Sequence, residues 1–250
     1  TGTTAGGKWT YLLNIDVQAL LDWNRAEGNP LFGADDETDG GIVLFASVVG
    51  PNSKTMNNYG VRVFDSADLG FPTGEEDPTG LTLVSDQAIY IEGDYNTVDK
   101  APAAVMGDTT NVLSRAWGAG TGLCVNDCKS AMDLGSRTPL ATTINAAFLG
   151  GTDVMLAGTR NGGVNNYPRL HESWSGVSFA YRGSMVSLGT PRHQEGPFCG
   201  VGYTGGGCNI YTAPVRNWDY DPDFNDAAKL PPLTPRVVWV QQALFTQEFR

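Results

Sequence analysis

The chain has 250 residues, of which only 17% are charged, and it is rich in glycine (32) and proline (14). With its many Asn, Thr and Ser residues, that composition excludes a helical bundle, a coiled coil and a charged disordered chain, and favours short strands joined by turns. A formal net charge of −11 repels phosphate backbones and anionic lipid, so nucleic acid and a membrane surface are poor partners and divalent cations better ones.

Residues 1–10 read as a linker-like or processed N-terminus, opening Thr1-Gly2-Thr3-Thr4-Ala5-Gly6-Gly7. No apolar run approaches the roughly 20 residues that a membrane-spanning helix requires. Leu13, Val17, Leu20 and Leu21 fall at i, i+4, i+7 and i+8 and predict an amphipathic helix, with Asn14 and Asp16 near its start. Gly28-Asn29-Pro30 stops it. An acidic loop follows (Asp35, Asp36, Glu37, Asp39). Ile42 to Val49 is then a continuous apolar run suited to a strand covered on both faces, and Tyr59 to Phe64 suits the next strand.

From Leu81 onward short strands follow one another: Leu81 to Val84, Ala88 to Glu92, Ala104 to Met106, Asn111 to Leu113, Ile144 to Phe148, Val177 to Leu188 and Arg236 to Val240. Gly93-Asp94 and Gly107-Asp108 supply turns, and Ile91-Glu92-Gly93-Asp94 with Val98 overlays Val105-Met106-Gly107-Asp108 with Val112. Such a stack of short strands predicts a mainly β protein, a parallel β-helix or solenoid with long loops at 118–139 and 157–168 and one N-terminal helix. The alternative is a β-sandwich or jelly roll, which regular strand spacing would favour; the spacing here is irregular. Residues 11–250 read as one β-rich domain, with an 11–75 subregion packed on an 81–250 solenoid.

Cysteines form two close pairs, Cys124/Cys128 and Cys199/Cys208. Free thiols and a zinc site are the other readings. Zinc fits poorly with Cys-x₃-Cys and Cys-x₈-Cys spacing and only two histidines, so local disulfides and an oxidising, extracellular location are expected. The densest acidic cluster places Asp219, Asp221, Asp223, Asn225 and Asp226 within eight residues, the alternation of oxygen ligands found in calcium loops. It is not an EF-hand, because Phe224 and Leu230 occupy the positions where glycine and glutamate are required. The competing reading is a turn whose Asp and Asn side chains cap their own backbone.

Catalytic signatures are sparse, and no catalytic residue is assigned. There is no Gly-x-Ser-x-Gly elbow, no phosphate-binding loop and no strand-linked dinucleotide fingerprint. A serine triad would need His171 or His193 as its base, and both read as hydrogen-bonded structural residues. A glycosidase-type carboxylate pair is a spatial fact that sequence does not settle. Six Trp and nine Tyr suit core plugs or a sugar-stacking platform. At the C-terminus Val238, Trp239, Val240, Leu244, Phe245 and Phe249 carry more apolar surface than a free tail, and are candidates for folding back on the sheet or docking in a neighbouring subunit.

Residues 80–96 (Gly80 to Asn96), Ala101-Pro102-Ala103-Ala104, Trp174 to Gly183, Arg216 to Asp221, and Leu230 to Pro235 form a set of stretches that resembles the extracellular region of PilX-like, type IV pilus assembly-associated secreted bacterial proteins. The resemblance implies a prepilin-type helix before a β-rich region, and that helix is absent from this sequence. It also implies location and class more than activity. Together these readings favour a non-enzymatic, structural or adhesive subunit of a pilus or other surface filament, self-assembling or joined to other pilus subunits. The alternatives are a secreted carbohydrate-active enzyme on a β-helix and a calcium-dependent sugar-binding module that meets surface polysaccharide.

Overall fold

Three parallel sheets of five strands each wind into one stack. The computed structural model describes residues 10–26, 41–48, 59–69, 80–118, 129, 132–152, 168–194, 198, 200–202 and 209–234. In chain order the elements are β1 (Tyr11–Asp16), α1 (Val17–Ala26), β2 (Ile42–Ala46), β3 (Tyr59–Phe64), β4 (Ser66–Asp68), β5 (Leu81–Ser85), β6 (Ala88–Glu92) and β7 (Tyr95–Val98). They continue with β8 (Ala103–Gly107), β9 (Thr110–Leu113), β10 (Thr142–Asn145), β11 (Ala147–Gly150), β12 (Arg169–Leu170), β13 (Ser178–Gly183), β14 (Met185–Ser187) and β15 (Val215–Tyr220).

Sheet A runs β1-β3-β6-β9-β12, sheet B β2-β5-β8-β11-β14, and sheet C β4-β7-β10-β13-β15. From β2 to β13 each turn therefore visits B, then A, then C, and the last described turn runs from β14 in B to β15 in C. All strand pairings are parallel, which selects the β-helix over the sandwich or jelly roll. The leanest turn, β5-β6-β7, takes 22 residues from Leu81 to Ala103; the others are lengthened by loops at their corners. Strands β2, β3 and β4 pair with β5, β6 and β7, so residues before and after the 70–79 segment share one stack.

Identical faces line up because the side-chain period of a strand is two and the register is unbroken. Inside, Ile15, Val63, Ile91, Val112 and Leu170 form one column of sheet A. Leu44, Leu83, Val105, Phe148 and Met185 form one of sheet B, and Ser66, Tyr95, Ile144, Tyr181 and Trp218 one of sheet C. These columns supply the main core. Sharp corners need a left-handed residue, and Asp65 (φ 47°) and Gly93 (φ 81°) occupy the same A-to-C corner one turn apart.

The helix starts later than its sequence pattern predicts. Leu13 and Asn14 belong to β1, because the alternating Tyr11-to-Ile15 segment pairs in register with β3; only from Val17 does the chain turn helical. Asp16 caps it, its Oδ1 accepting from the Ala19 N–H at 2.9 Å. Val17 and Leu21 are then buried over the open end of the interior, so α1 is the cap of the first turn.

Two predicted strands are each two. Ala146 breaks 144–148 into β10 and β11, and Ser184 breaks 177–188 into β13 and β14, each at a one-residue corner between sheets C and B. The Gly-Asp overlay is also displaced: Ile91 stacks on Val112 in sheet A, whereas Val105 stacks on Leu83 in sheet B. Strands β4, β7, β12 and β15 have no counterpart in the sequence reading. Residues 236–240 lie outside the described residues.

Candidate functional site

Charged and polar side chains gather in two places, both outside the hydrophobic interior. The first is the acidic cluster. β15 ends at Tyr220, and the chain then runs back along the C-to-B corner as two 3₁₀ turns, Pro222–Asn225 and Ala227–Lys229. Lys100, in the corner between β7 and β8, holds this strap: its Nζ donates to both oxygens of Asp221 at 3.0 and 2.9 Å and lies 2.6 Å from Asp223. Lys229 donates to Asp223 from the other side at 2.9 Å. Hydrogen bonds from these two ammonium groups hold the Asp223 carboxyl down at about 2. Burial opposes the charge on Lys100, but its bonds to Asp223 and Asp221 outweigh it and raise the pKa. The Lys229 pKa is raised mainly by its bond to Asp223.

The remaining acidic-cluster oxygens serve the backbone or a neighbour. Asp221 accepts from the Asp223 N–H, Asp226 from the Ala228 N–H and Asp219 from the Tyr220 N–H, while Asn225 accepts from the Tyr220 hydroxyl. Further on, Pro231 and Pro232 are buried, and the Pro232 carbonyl accepts from Thr82 Oγ1 at 2.8 Å. Gly41 and Gly80 permit this approach, since a Cβ on either would collide with backbone or with Pro232. The strap thus reaches from the Gly183 carbonyl, which receives the Asp221 N–H, to the first two turns. No cluster of three or more His, Cys, Asp or Glu suited to a metal occurs among the described residues.

The second place is the outer face of sheet A. Asn14, Arg62, Tyr90, Asn111 and Arg169 stand in register across all five strands. All but Asn14 are buried, Tyr90 packing with Trp117 and both Tyr90 and Arg169 bonding Gln194 of the 192–194 segment. Arg62 donates from Nε to Asn14 and pairs with Glu92 at 3.5 Å. Arg169 donates to the side chain and carbonyl of Gln194 and lies 5.0 Å over the Phe198 ring. Burial lowers its pKa to about 10 although Tyr90 and Asp108 favour the charge.

Three residues organise what covers this face. Gln194 donates to the Tyr90 hydroxyl at 2.9 Å and accepts from Thr109 at 3.0 Å. Asp108, in the β8-to-β9 corner, accepts from the Arg192 and His193 N–H groups at 2.6 and 2.9 Å and from Thr152. Glu172 accepts from the N–H and hydroxyl of Ser114 at 2.6 and 2.8 Å, with Lys129 at 3.6 Å. Burial raises the Glu172 carboxyl, and the Ser114 and Lys129 contacts pull the other way.

His171 Nε2 lies 2.9 Å from Asn111 Oδ1, an arrangement that puts the proton on Nε2, and its ring sits among Tyr90, Trp117 and Phe198. Burial, reinforced by the Arg169 and Arg137 guanidinium groups, pushes its pKa down to about 3, so the ring is neutral at ordinary pH. His193 is buried against the Asp108 corner through its backbone.

Of the residues singled out from sequence, Asp219, Asp221, Asp223, Asn225 and Asp226 come together on the strap. Cys124, Cys128, Cys199 and Cys208, and Val238, Trp239, Val240, Leu244, Phe245 and Phe249, lie outside the described residues, as do Asp35, Asp36, Glu37 and Asp39. Sequence reasoning missed Lys100, Asp108, Glu172 and Gln194. Their partners are 25 or more residues away, and no local pattern marks those pairings. No helix among the described residues is long and apolar enough to cross a membrane.

The fold defines the class: a parallel β-helix with a polar layer sealed on one outer face and a strap along one corner. No family model, curated protein or solved structure matches the chain.

Proposed function

We propose that the chain is an extracellular structural or adhesive protein, a subunit of a pilus or other bacterial surface filament. The observation that carries this reading is the use of buried charge. Arg169, Glu172 and Asp108 tie covering segments to the stack, and Asp221 with Lys100 ties a strap across several of its turns. Tethers that link successive turns resist shear and bending along the axis, which is what a load-carrying rod requires. The stretches similar to PilX-like proteins point to the same class, and local Cys124–Cys128 and Cys199–Cys208 disulfides would suit an oxidising location. The partners on this reading are other copies or other pilus subunits, with surface polysaccharide as an adhesive ligand. Calcium at Asp221 and Asp223 would enter by displacing Lys100 and Lys229.

Negative-stain microscopy and sedimentation of the secreted native protein test the proposal. Filaments or concentration-dependent assembly are expected. A monomer at every protein and calcium concentration overturns it, and depolymerisation of a polysaccharide by that monomer would establish a secreted carbohydrate-active enzyme instead.

A further inference from the structure

The N-terminal end of the interior holds a cavity between the capping helix and the first turns. Val17, Leu20 and Leu21 of α1 line one side of it, and β2, β3 and β5 supply only Ile, Leu and Val to the rest. Tyr95 of β7 completes the lining and is its one polar side chain. That side chain is fully buried, and its hydroxyl has no hydrogen-bond partner among the described residues. Its neighbours in the sheet C column do not supply one: Ser66 turns its hydroxyl to the Asp94 carbonyl at 3.4 Å, and Ile144 is apolar.

A buried hydroxyl without a partner is costly, and a phenylalanine would fill the same position without that cost. Burial also pushes the Tyr95 pKa above the usual tyrosine value, so the hydroxyl keeps its proton and acts as a donor. We propose that the cavity binds a small neutral molecule with an apolar body and one hydrogen-bond acceptor, to which the Tyr95 hydroxyl donates.

The lining selects this class of ligand over its rivals. An ion would lose its hydration and find no counter-charge among these side chains. A buried water makes about three hydrogen bonds, which one polar side chain does not provide. A pure hydrocarbon would suit the walls and leave the hydroxyl unpaired. The site is independent of the filament reading, since a single chain supplies its whole lining.

The test uses the full chain with ¹³C-labelled Ile, Leu and Val methyl groups. It is titrated with butanone, and separately with the alkene that carries a methylene in place of the carbonyl oxygen. Saturable shifts are expected at the methyl groups of Leu21, Val63 and Leu83, and none at Leu170, farther along the interior. Butanone should bind wild type about fivefold more tightly than Tyr95→Phe, and the alkene should bind the two proteins equally. No saturable shift at those methyl groups, or equal butanone affinities in the two proteins, overturns the proposal. The stability of Tyr95→Phe gives an independent reading. Without ligand it should melt at or above the wild-type temperature, because it loses an unpaired buried hydroxyl. A lower melting temperature would show that the hydroxyl is bonded within the protein, and would overturn the proposal as well.

Discussion

The outer faces of sheets A and B are built from the same turns and solve different problems. Sheet A presents Arg62, Tyr90, Asn111 and Arg169, and each of these side chains has a polar partner in a neighbouring column or a covering segment. Sheet B presents an uncharged ladder of Phe45, Val84, Met106, Leu149 and Val186, and among the described residues the strap is anchored to the sheet by the bond from Thr82 to Pro232. The difference teaches how a β-helix assigns its faces. Hydrogen bonds to buried charges have demanding geometry, so the sheet A covering is fixed in register, whereas apolar contact on sheet B is non-directional and adaptable.

The largest effect that sharpens this contrast lies beneath both layers. Phe148→Ala empties an interior position of sheet B that is fully buried, and should cost about 3–5 kcal/mol in urea unfolding. A cost equal to that of an outer-face substitution would mean that the interior columns do not dominate stability.

On sheet A, Asp108→Ala removes the acceptor of the Arg192 and His193 N–H groups and should cost about 2–3 kcal/mol. Hydrogen exchange should accelerate at 192–194 while β5 and β6 stay protected. Uniform acceleration would show that Asp108 supports the whole stack and not its covering alone.

The polar layer also predicts a pH response. The His171 pKa is depressed in the folded chain, to about 3. Between its ordinary value near 6.5 and that limit the unfolded chain binds a proton that the folded chain does not, so stability falls as pH falls, by up to about 1.4 kcal/mol per pH unit. Glu172, raised by burial, acts in the opposite sense: its contribution is lost as pH rises past the ordinary glutamate range. Unfolding free energies at pH 7, 6 and 5 should therefore slope downward in wild type and flatten in His171→Gln. An unchanged slope in the variant would assign the response elsewhere.

The smallest effect is at the strap. Lys100→Met removes an ammonium that is one-third exposed from a nearly buried Asp221 and a more open Asp223, and should cost about 1–2 kcal/mol. It also leaves the Asp221 carboxylate without an ammonium partner and Asp223 with Lys229 alone. Added calcium should then raise the melting temperature of the variant more than that of wild type, and equal responses would show that Lys100 does not compete with a cation there.

Composition, irregular strand spacing and runs such as Leu81–Ser85 and Ala88–Glu92 were enough to place the chain in the parallel β-helix class, because stacked strands demand β-branched and apolar residues locally. The Asp219–Asp226 cluster was legible as a feature, and its partners were not. Tertiary structure alone decided where one-residue corners such as Ala146 and Ser184 split an apolar run. It likewise brought Lys100 to Asp221, 121 residues away, and Tyr90 to Gln194, 104 residues away. Periodicity along a strand is a local property set by which face meets water. Which strand lies above it, and which distant side chain closes its polar groups, depends on loop lengths that local pattern does not encode.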